Sequence, residues 1–412
     1  MKHIETIAGI DIGSSAVRVV VGHHQDNGQM QLIGVGDTPS RGVAKGSIAD
    51  LEEVVSSVSE ALEKAERMVG SQLSRAVVAV NGIQSKVVQS QGVVAVSKPN
   101  GEVQQSDIDR AIEQSQAVAS APNFEILHVL PKYFNLDNQT NLKDPLGMTG
   151  IKLEAHTQII FAQSAQVKFL NKCVYRTQLE VDGLVFGPLA SAQAVLTKRQ
   201  KDLGVAVVNM GASTTSVAVF EEGELLHAAV LPIGSDHITA DVAIGLRIAL
   251  DIAELVKIEQ GHASATTVSK RDEVDISKYA ASDMPRLLIS RKHIAEIIEA
   301  RLEELFRMVQ GELRACDREK KLPAGVILTG GGSKLSGLVD FAKNTIELPV
   351  FLGSSEAVMT PIDKIKDAQY TTALGLLYFA EEGESGTFGK PMRLISRFLT
   401  PFVSRIPGMR RG

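Results

Sequence analysis

The residues best suited to chemistry in this sequence sit in two short glycine loops. Ile10-Asp11-Ile12-Gly13-Ser14-Ser15 recurs 198 residues later as Val208-Asn209-Met210-Gly211-Ala212-Ser213, followed by Thr214. A strand that ends in small residues presents backbone N–H groups to a ligand, and phosphate oxygens suit such a cluster. The Ser14 and Ser15 hydroxyls can add donors. Asp11, at a strand end, can hold Mg²⁺ through water, because hard cations take oxygen ligands. One such loop reads equally well as a glycine hairpin with no ligand. A third cluster, Gly330-Gly331-Gly332-Ser333, strengthens the ligand reading, since glycines there let the backbone meet a flat base or a ribose. Glu254 and Lys257 lie three apart on a predicted helix over Asp251–Ile258 and can grip ribose hydroxyls from one face. An exposed salt bridge fits the same spacing.

Strand and helix patterns alternate through most of the chain, which predicts an α/β fold. Ile7–Gly22 reads as a hairpin turning at Gly13-Ser14-Ser15, and Gln31–Pro39 as a further strand. Asp50–Val69 is helical, with Asp50 as cap and Val54, Val58, Ala61, Leu62 and Ala65 on the apolar face. Ala76–Val80 is a strand ending at Asn81-Gly82. The texture then changes over residues 83–163, which read as a small α+β insert: strands at Val87–Val96, Phe124–Leu136 and Ile151–Phe161, and a helix at Ser106–Ser120 capped by Ser106. A helix at Ala165–Gln178 and a strand at Glu180–Phe186 follow, then the second hairpin at Val205–Phe220. A long helix over Ser290–Cys316 is capped by Ser290. The strand Ala324–Thr329 leads into the third glycine cluster, a helix at Lys334–Thr345 and a last core helix at Tyr370–Ala380. The organisation expected is one lobe from 1–82 with 164–200, the insert, a second lobe over 201–381, a linker over 382–390 and a tail over 391–412.

Composition narrows the function. Aromatics make up 4% of 412 residues, with no Trp, and the net charge is −5, so nucleic-acid binding by base stacking is disfavoured. Cys173 and Cys316 form no disulfide framework or metal spacing and read as small buried hydrophobes in a reducing compartment. No apolar signal segment precedes the first strand pattern and no run of apolar residues is long enough to span a membrane, so the reading is cytoplasmic. Charge is unevenly placed. Residues 389–412 hold six basic side chains and no acid; removing that +6 from the net −5 leaves −11 on the rest.

The order of phosphate loop, insert, second phosphate loop, Glu-x-x-Lys and Thr-Gly-Gly-Gly resembles the actin-like ATPase superfamily. Further segments resemble the FtsA family of bacterial cell-division proteins: Ser40-Arg41-Gly42-Val43-Ala44-Lys45-Gly46, Leu130-Pro131-Lys132-Tyr133-Phe134, Asp144-Pro145-Leu146-Gly147-Met148-Thr149-Gly150 and Leu231-Pro232-Ile233-Gly234. The insert is similar to the 1C subdomain of that family. The resemblance spans residues 7–380 and implies a two-lobed actin-like (ribonuclease-H-like) fold with ATP and Mg²⁺ between the lobes. It implies a scaffold that polymerises on the inner face of the membrane at the division site and tethers the tubulin-like FtsZ, with no metabolic activity. It adds Gly234 to the nucleotide set and matches Arg301 to the arginine that meets the acidic FtsZ C-terminal peptide, physically a sensible pairing. From spacing alone, Arg301 equally pairs with Glu303 or Glu304.

Two departures from that family pattern stand out. Its second loop usually reads Asp-Ile-Gly-Gly-Gly-Thr-Thr-Asp; here Asn209 and Ser216 replace both acids, and Ala212 adds a methyl where glycine allowed close approach. Asn hydrogen-bonds but cannot accept a proton as a base, so hydrolysis is expected to be very slow or absent while ATP still binds. In the first loop Ala16 stands where the family often has Lys, which removes a positive charge beside the phosphates.

Residues 391–406 fit an amphipathic membrane segment. Leu394, Ile395, Phe398, Leu399, Phe402, Val403 and Ile406 repeat at helical spacing, with Arg393, Arg397 and Arg405 placed for anionic headgroups. Each such cation contributes about 1 kcal/mol. Each large apolar side chain that buries well contributes roughly 1.5–3 kcal/mol. Pro401 splits the segment into two short pieces. A core helix packing back on the body is the competing reading. Other functional readings are a PilM-type adaptor of pilus machinery, which needs no basic tail, and a sugar kinase, which needs the acid that Asn209 has replaced.

Overall fold

The computed structural model describes residues 6–24, 30–119, 121–279, 286–353, 360 and 362–385. The valine-rich first third builds β1 (Thr6–Ile12), β2 (Ala16–His24), β3 (Met30–Pro39), the short pair β4 (Val43–Ala44) and β5 (Ser47–Ile48), α1 (Leu51–Val69) and β6 (Arg75–Val80). Asp50 starts α1 as expected, its carboxylate accepting from the N–H groups of Glu52 and Glu53. The insert follows as β7 (Lys86–Ala95), α2 (Gln105–Val118), β8 (Phe124–Leu136), β9 (Gln139–Leu142) and β10 (Lys152–Gln163). The chain returns through α3 (Ser164–Arg176), β11 (Glu180–Phe186), α4 (Gly187–Val195) and α5 (Lys198–Leu203). The second half contains β12 (Val205–Met210), β13 (Thr215–Glu221), β14 (Glu224–Leu231), α6 (Ser235–Leu246), α7 (Leu250–Gln260), β15 (Glu273–Asp275), β16 (Leu288–Ser290), α8 (Arg291–Ala315), β17 (Val326–Thr329), α9 (Leu338–Ile346), β18 (Val350–Leu352) and α10 (Thr371–Ser385).

The two halves repeat one topology. The first sheet runs β3-β2-β1-β6-β11 and the second β14-β13-β12-β17-β18, each with an antiparallel triplet followed by parallel strands. Register repeats as well. Ala8 pairs with Ala76, and Ala206, 198 residues on, pairs with Val326. Helices cover both faces of the first sheet, so β1 and β6 are buried almost end to end and read as continuous apolar runs. The insert is a separate four-stranded sheet, β7-β10-β8-β9, with α2 on one face.

Four expectations are corrected. The α2 cap is Gln104, not Ser106, because Asp107 reaches back to the Gln104 N–H and fixes the helix start earlier. No helix begins at Lys334: Gly331–Lys334 is a 3₁₀ turn, Gly337 adopts φ +76°, and α9 begins only at Leu338. A side chain at Gly337 would collide with the His262 ring, so only glycine fits this left-handed position. Helix α10 does not belong to the second lobe. It packs on the first sheet through Ala373, Leu374, Leu376 and Leu377, and Gly9 lets β1 approach so closely that a Cβ would lie 2.2 Å from the Ala373 carbonyl. It also runs to Ser385, into the expected linker, as glutamates of good helix propensity permit. The tail at 391–412, with its membrane residues, lies outside the described residues.

Candidate functional site

The glycine loops are equivalent in detail. The Gly13 N–H donates to the Ala16 carbonyl at 3.2 Å, and the Gly211 N–H to the Thr214 carbonyl at 2.9 Å. Asp11 stands opposite Arg18 in one hairpin, and Asn209 opposite Ser216 in the other. Both loops open into one cleft of about 370 Å³ between the lobes. Asp11, Gly13, Ser14 and Ser15 line it from the first lobe. Asn209, Gly211, Ala212, Ser213 and Thr214 face them, and Glu254, Lys257 and Gly330-Gly331-Gly332 complete the wall.

Two expected members do not line the cleft. Gly234 starts α6 against the second loop, where a Cβ would sit 2.3 Å from the Ala212 carbonyl. Ser333 is buried, with its hydroxyl donating to the Gly330 carbonyl at 2.7 Å, and pins the 3₁₀ turn.

Charge in the cleft is asymmetric. Asp11 is buried, and that burial pushes its carboxyl up; the Arg18 guanidinium and the Asn81 amide, which donates to Oδ1 at 2.8 Å, pull the other way. A buried carboxylate left under-compensated by its neighbours is a fitting anchor for a hydrated divalent cation. On the opposing loop the Asn209 amide donates to the Thr372 hydroxyl at 3.1 Å. Gly330, at φ +84°, makes room for it: a Cβ there would lie 2.3 Å from Asn209 Oδ1.

Glu254 and Lys257 form an ion pair at 2.6 Å, buried at the lysine end and open to solvent at the glutamate end. Lys257 is buried, and its ammonium also reaches the Thr239 hydroxyl at 2.8 Å and the Ser235 carbonyl at 3.3 Å. Thr239 in turn donates to Glu254. The pair is thus held rigidly at the cleft wall. Asp236, which receives the Ser213 hydroxyl at 3.4 Å, has its carboxyl pushed up by burial, with Lys257 opposing the shift.

Sequence reasoning missed Arg18, Asn81, Asp236, Lys334, Gln369 and Thr372, all of which line the cleft. Arg18 corrects the inference drawn from Ala16. Two residues along the same strand it faces the same side, and it brings a cation into the cleft after all. Its guanidinium donates to Gln369 Oε1 at 3.0 Å and lies over the Tyr370 ring. The available signal was a lone charge in a run of buried valines. Cys173 is buried, which pushes its thiol up to about 12; Cys316, expected to be buried as well, is only half-buried, with desolvation raising its thiol in the same direction. Among the described residues no group of acids, His and Cys forms a metal centre, and no helix is long and apolar enough to cross a membrane.

Twin sheets with matched loops facing one cleft define the actin-like class of folds. Solved structures agree. A PilM–PilN type IV pilus biogenesis complex superposes with TM-score 0.68 over 91% of this chain and 98% of that one, at 18% identity. MreB5 of Spiroplasma citri bound to ADP superposes with TM-score 0.53 over 93% and 99%, at 12% identity. The family description "Cell division protein FtsA" matches residues 206–375, and "SHS2 domain inserted in FTSA" matches residues 82–161. The cell division protein FtsA of Pseudomonas aeruginosa is 37% identical over 379 residues, covering 92% of this chain and 90% of that protein. The chain belongs to the FtsA family of cell-division proteins.

Proposed function

We propose that this protein is a nucleotide-binding scaffold that holds MgATP in the interlobe cleft, self-assembles at the cytoplasmic face of the membrane and anchors FtsZ there. The observation that carries the reading is the pair of loops in identical register facing one cleft, with a carboxylate on one and an amide on the other. Asp11 would hold Mg²⁺ through water, and the bound ion would neutralise phosphate charge. Gly13, Ser14 and Ser15 with Gly211 and Ser213 offer donors to the phosphates, Arg18 adds a full positive charge, and the rigid Glu254–Lys257 pair faces the ribose. Asn209 hydrogen-bonds but takes no proton, so turnover is slow or absent.

Arg301 on α8 supports the partner reading with a condition attached. Asp241 holds it at 2.5 and 2.9 Å and Glu304 at 2.5 Å. An incoming acidic peptide must displace these half-exposed carboxylates, a modest exchange of similar partners. Arg301→Glu is expected to abolish binding of a fluorescent FtsZ C-terminal peptide. Asp241→Ala, which frees Nε and Nη2 of the guanidinium and leaves only Glu304 on Nη1, is expected to tighten it about threefold, since one exposed ion pair contributes up to about 1 kcal/mol. Equal affinity across wild type and both variants would refute the role of Arg301.

The basic tail supplies the membrane contact on this reading. Flotation with anionic liposomes is expected to carry the wild type, and a Phe398→Glu, Phe402→Glu variant is expected to stay at the bottom. Assembly multiplies weak single-tail binding through avidity. A double variant that still floats would remove the tail from the membrane contact.

A further inference from the structure

The segment Ser40–Gly46, singled out by resemblance, belongs to neither glycine loop. The structure makes it the approach to a hairpin, β4–β5, whose two-residue turn is Lys45 (φ 51°) and Gly46 (φ 72°). Two consecutive left-handed residues are the signature of a tight primed turn. The base of the hairpin is fixed: the Ala49 and Asp50 N–H groups donate to the Gly42 carbonyl at 2.8 and 3.0 Å, and Asp50 caps α1. The tip reaches the cleft, where the Gly46 N–H donates to Ser14 Oγ at 3.3 Å. A hydroxyl that accepts from Gly46 keeps its own proton for a phosphate oxygen.

The same hairpin touches both chain crossings of the insert. The Ser47 hydroxyl donates to Gln84 Oε1 at 3.0 Å, and Gln84 lies between β6 and β7, where the chain enters the insert. Gly46 also abuts Gly82, just before it; a Cβ at Gly46 would lie 3.0 Å from the Gly82 nitrogen. The Ile48 N–H donates to Gln166 Oε1 at 3.1 Å, and Gln166 sits in the first turn of α3, where the chain leaves the insert. On its far side the insert meets the second lobe, with Gln158 Nε2 donating to the Leu226 carbonyl at 3.0 Å and Lys143 lying 3.7 Å from Glu224.

We propose that the Lys45-Gly46 turn is a third element of the phosphate site, one that senses the terminal phosphate through Ser14 and passes its occupancy to the inserted subdomain through Ser47–Gln84 and Ile48–Gln166. The proposal rests on the nucleotide reading above. A terminal phosphate that engages Ser14 strengthens or strains the Gly46 contact, and a turn pinned at its base transmits the shift to both insert crossings. A diphosphate lacks the group that makes the contact.

Hydrogen exchange on the full chain with MgATP, with MgADP and without nucleotide tests this, alongside fluorescent-nucleotide titrations. In the wild type, exchange over residues 84–95 and 152–166 is expected to differ about threefold or more between ATP and ADP. Gln84→Ala with Gln166→Ala is expected to keep ATP affinity and lose that difference. Ser47→Ala, a milder change, is expected to lose part of it. Wild-type protein that binds ATP with identical exchange in both states would overturn the proposal alone, as would a double variant that keeps the difference. Absence of any ATP binding would overturn the nucleotide reading and this proposal with it.

Discussion

Asp11→Asn is expected to weaken Mg²⁺-dependent ATP binding about 10–100-fold and, without nucleotide, to melt higher than the wild type. The two effects have opposite signs and one cause. Burial pushes the Asp11 carboxyl above its ordinary value, despite Arg18 and Asn81. An acid whose folded pKa is raised costs stability once the pH passes its unfolded value, near 3.8, because the unfolded chain ionises first. At neutral pH the apo wild type carries that cost and the amide does not. Asn keeps the oxygen that receives the Asn81 amide, so the loop is preserved. Below pH 3.8 the stability gain of the variant should vanish. Binding runs the other way. Removing a carboxylate that holds a hydrated metal typically costs about 10–100-fold in affinity. At about 100 times its Kd, MgATP stabilises the wild type by about 2.7 kcal/mol, and the variant should gain only about 0.4–1.4 kcal/mol at the same concentration. Thermal melts across pH, with and without MgATP, read both. A variant stabilised by MgATP as strongly as the wild type would remove Asp11 from the site.

Asn209→Asp is expected to raise phosphate release by about 100-fold, the lower end of what a positioned general base contributes. The site accommodates the change. Asn209 now donates to the Thr372 hydroxyl, and that hydroxyl can instead donate to a carboxylate in the same place. Gly330 already leaves the room. Adding Ala212→Gly should increase the effect, since the methyl stands where backbone approaches phosphate. Phosphate release measured at saturating MgATP decides the matter. An unchanged rate in the Asn209→Asp variant, with ATP still bound, would mean turnover is limited elsewhere.

Much of the first lobe and of the phosphate loops was legible because local signals agreed with the fold. The 198-residue repeat in sequence is a repeat in strand register, and Asp50 caps α1 as its type predicts. Helix α4 was not legible. Gly187–Val195 is small and apolar on every side, buried between the two sheets, and so shows no amphipathic period. The cleft residues Gln369, just before α10, and Thr372, in its first turn, were hidden for another reason. They come from a segment remote in sequence that crosses back onto the first lobe, and no local pattern encodes that crossing. Arg301 illustrates a third limit: spacing offered Glu303 or Glu304, and Glu304 is indeed a partner, but the bidentate partner Asp241 lies on a different helix that no local spacing reveals.

A cleft with a carboxylate on one loop and an amide on the other should bind MgATP while hardly turning it over. Titrating the full chain with MgATP while following phosphate release in the same sample tests this most directly. Saturable binding of one nucleotide per chain is expected, with phosphate release no faster than in the Asp11→Asn variant. No binding, or turnover well above that background, would contradict it.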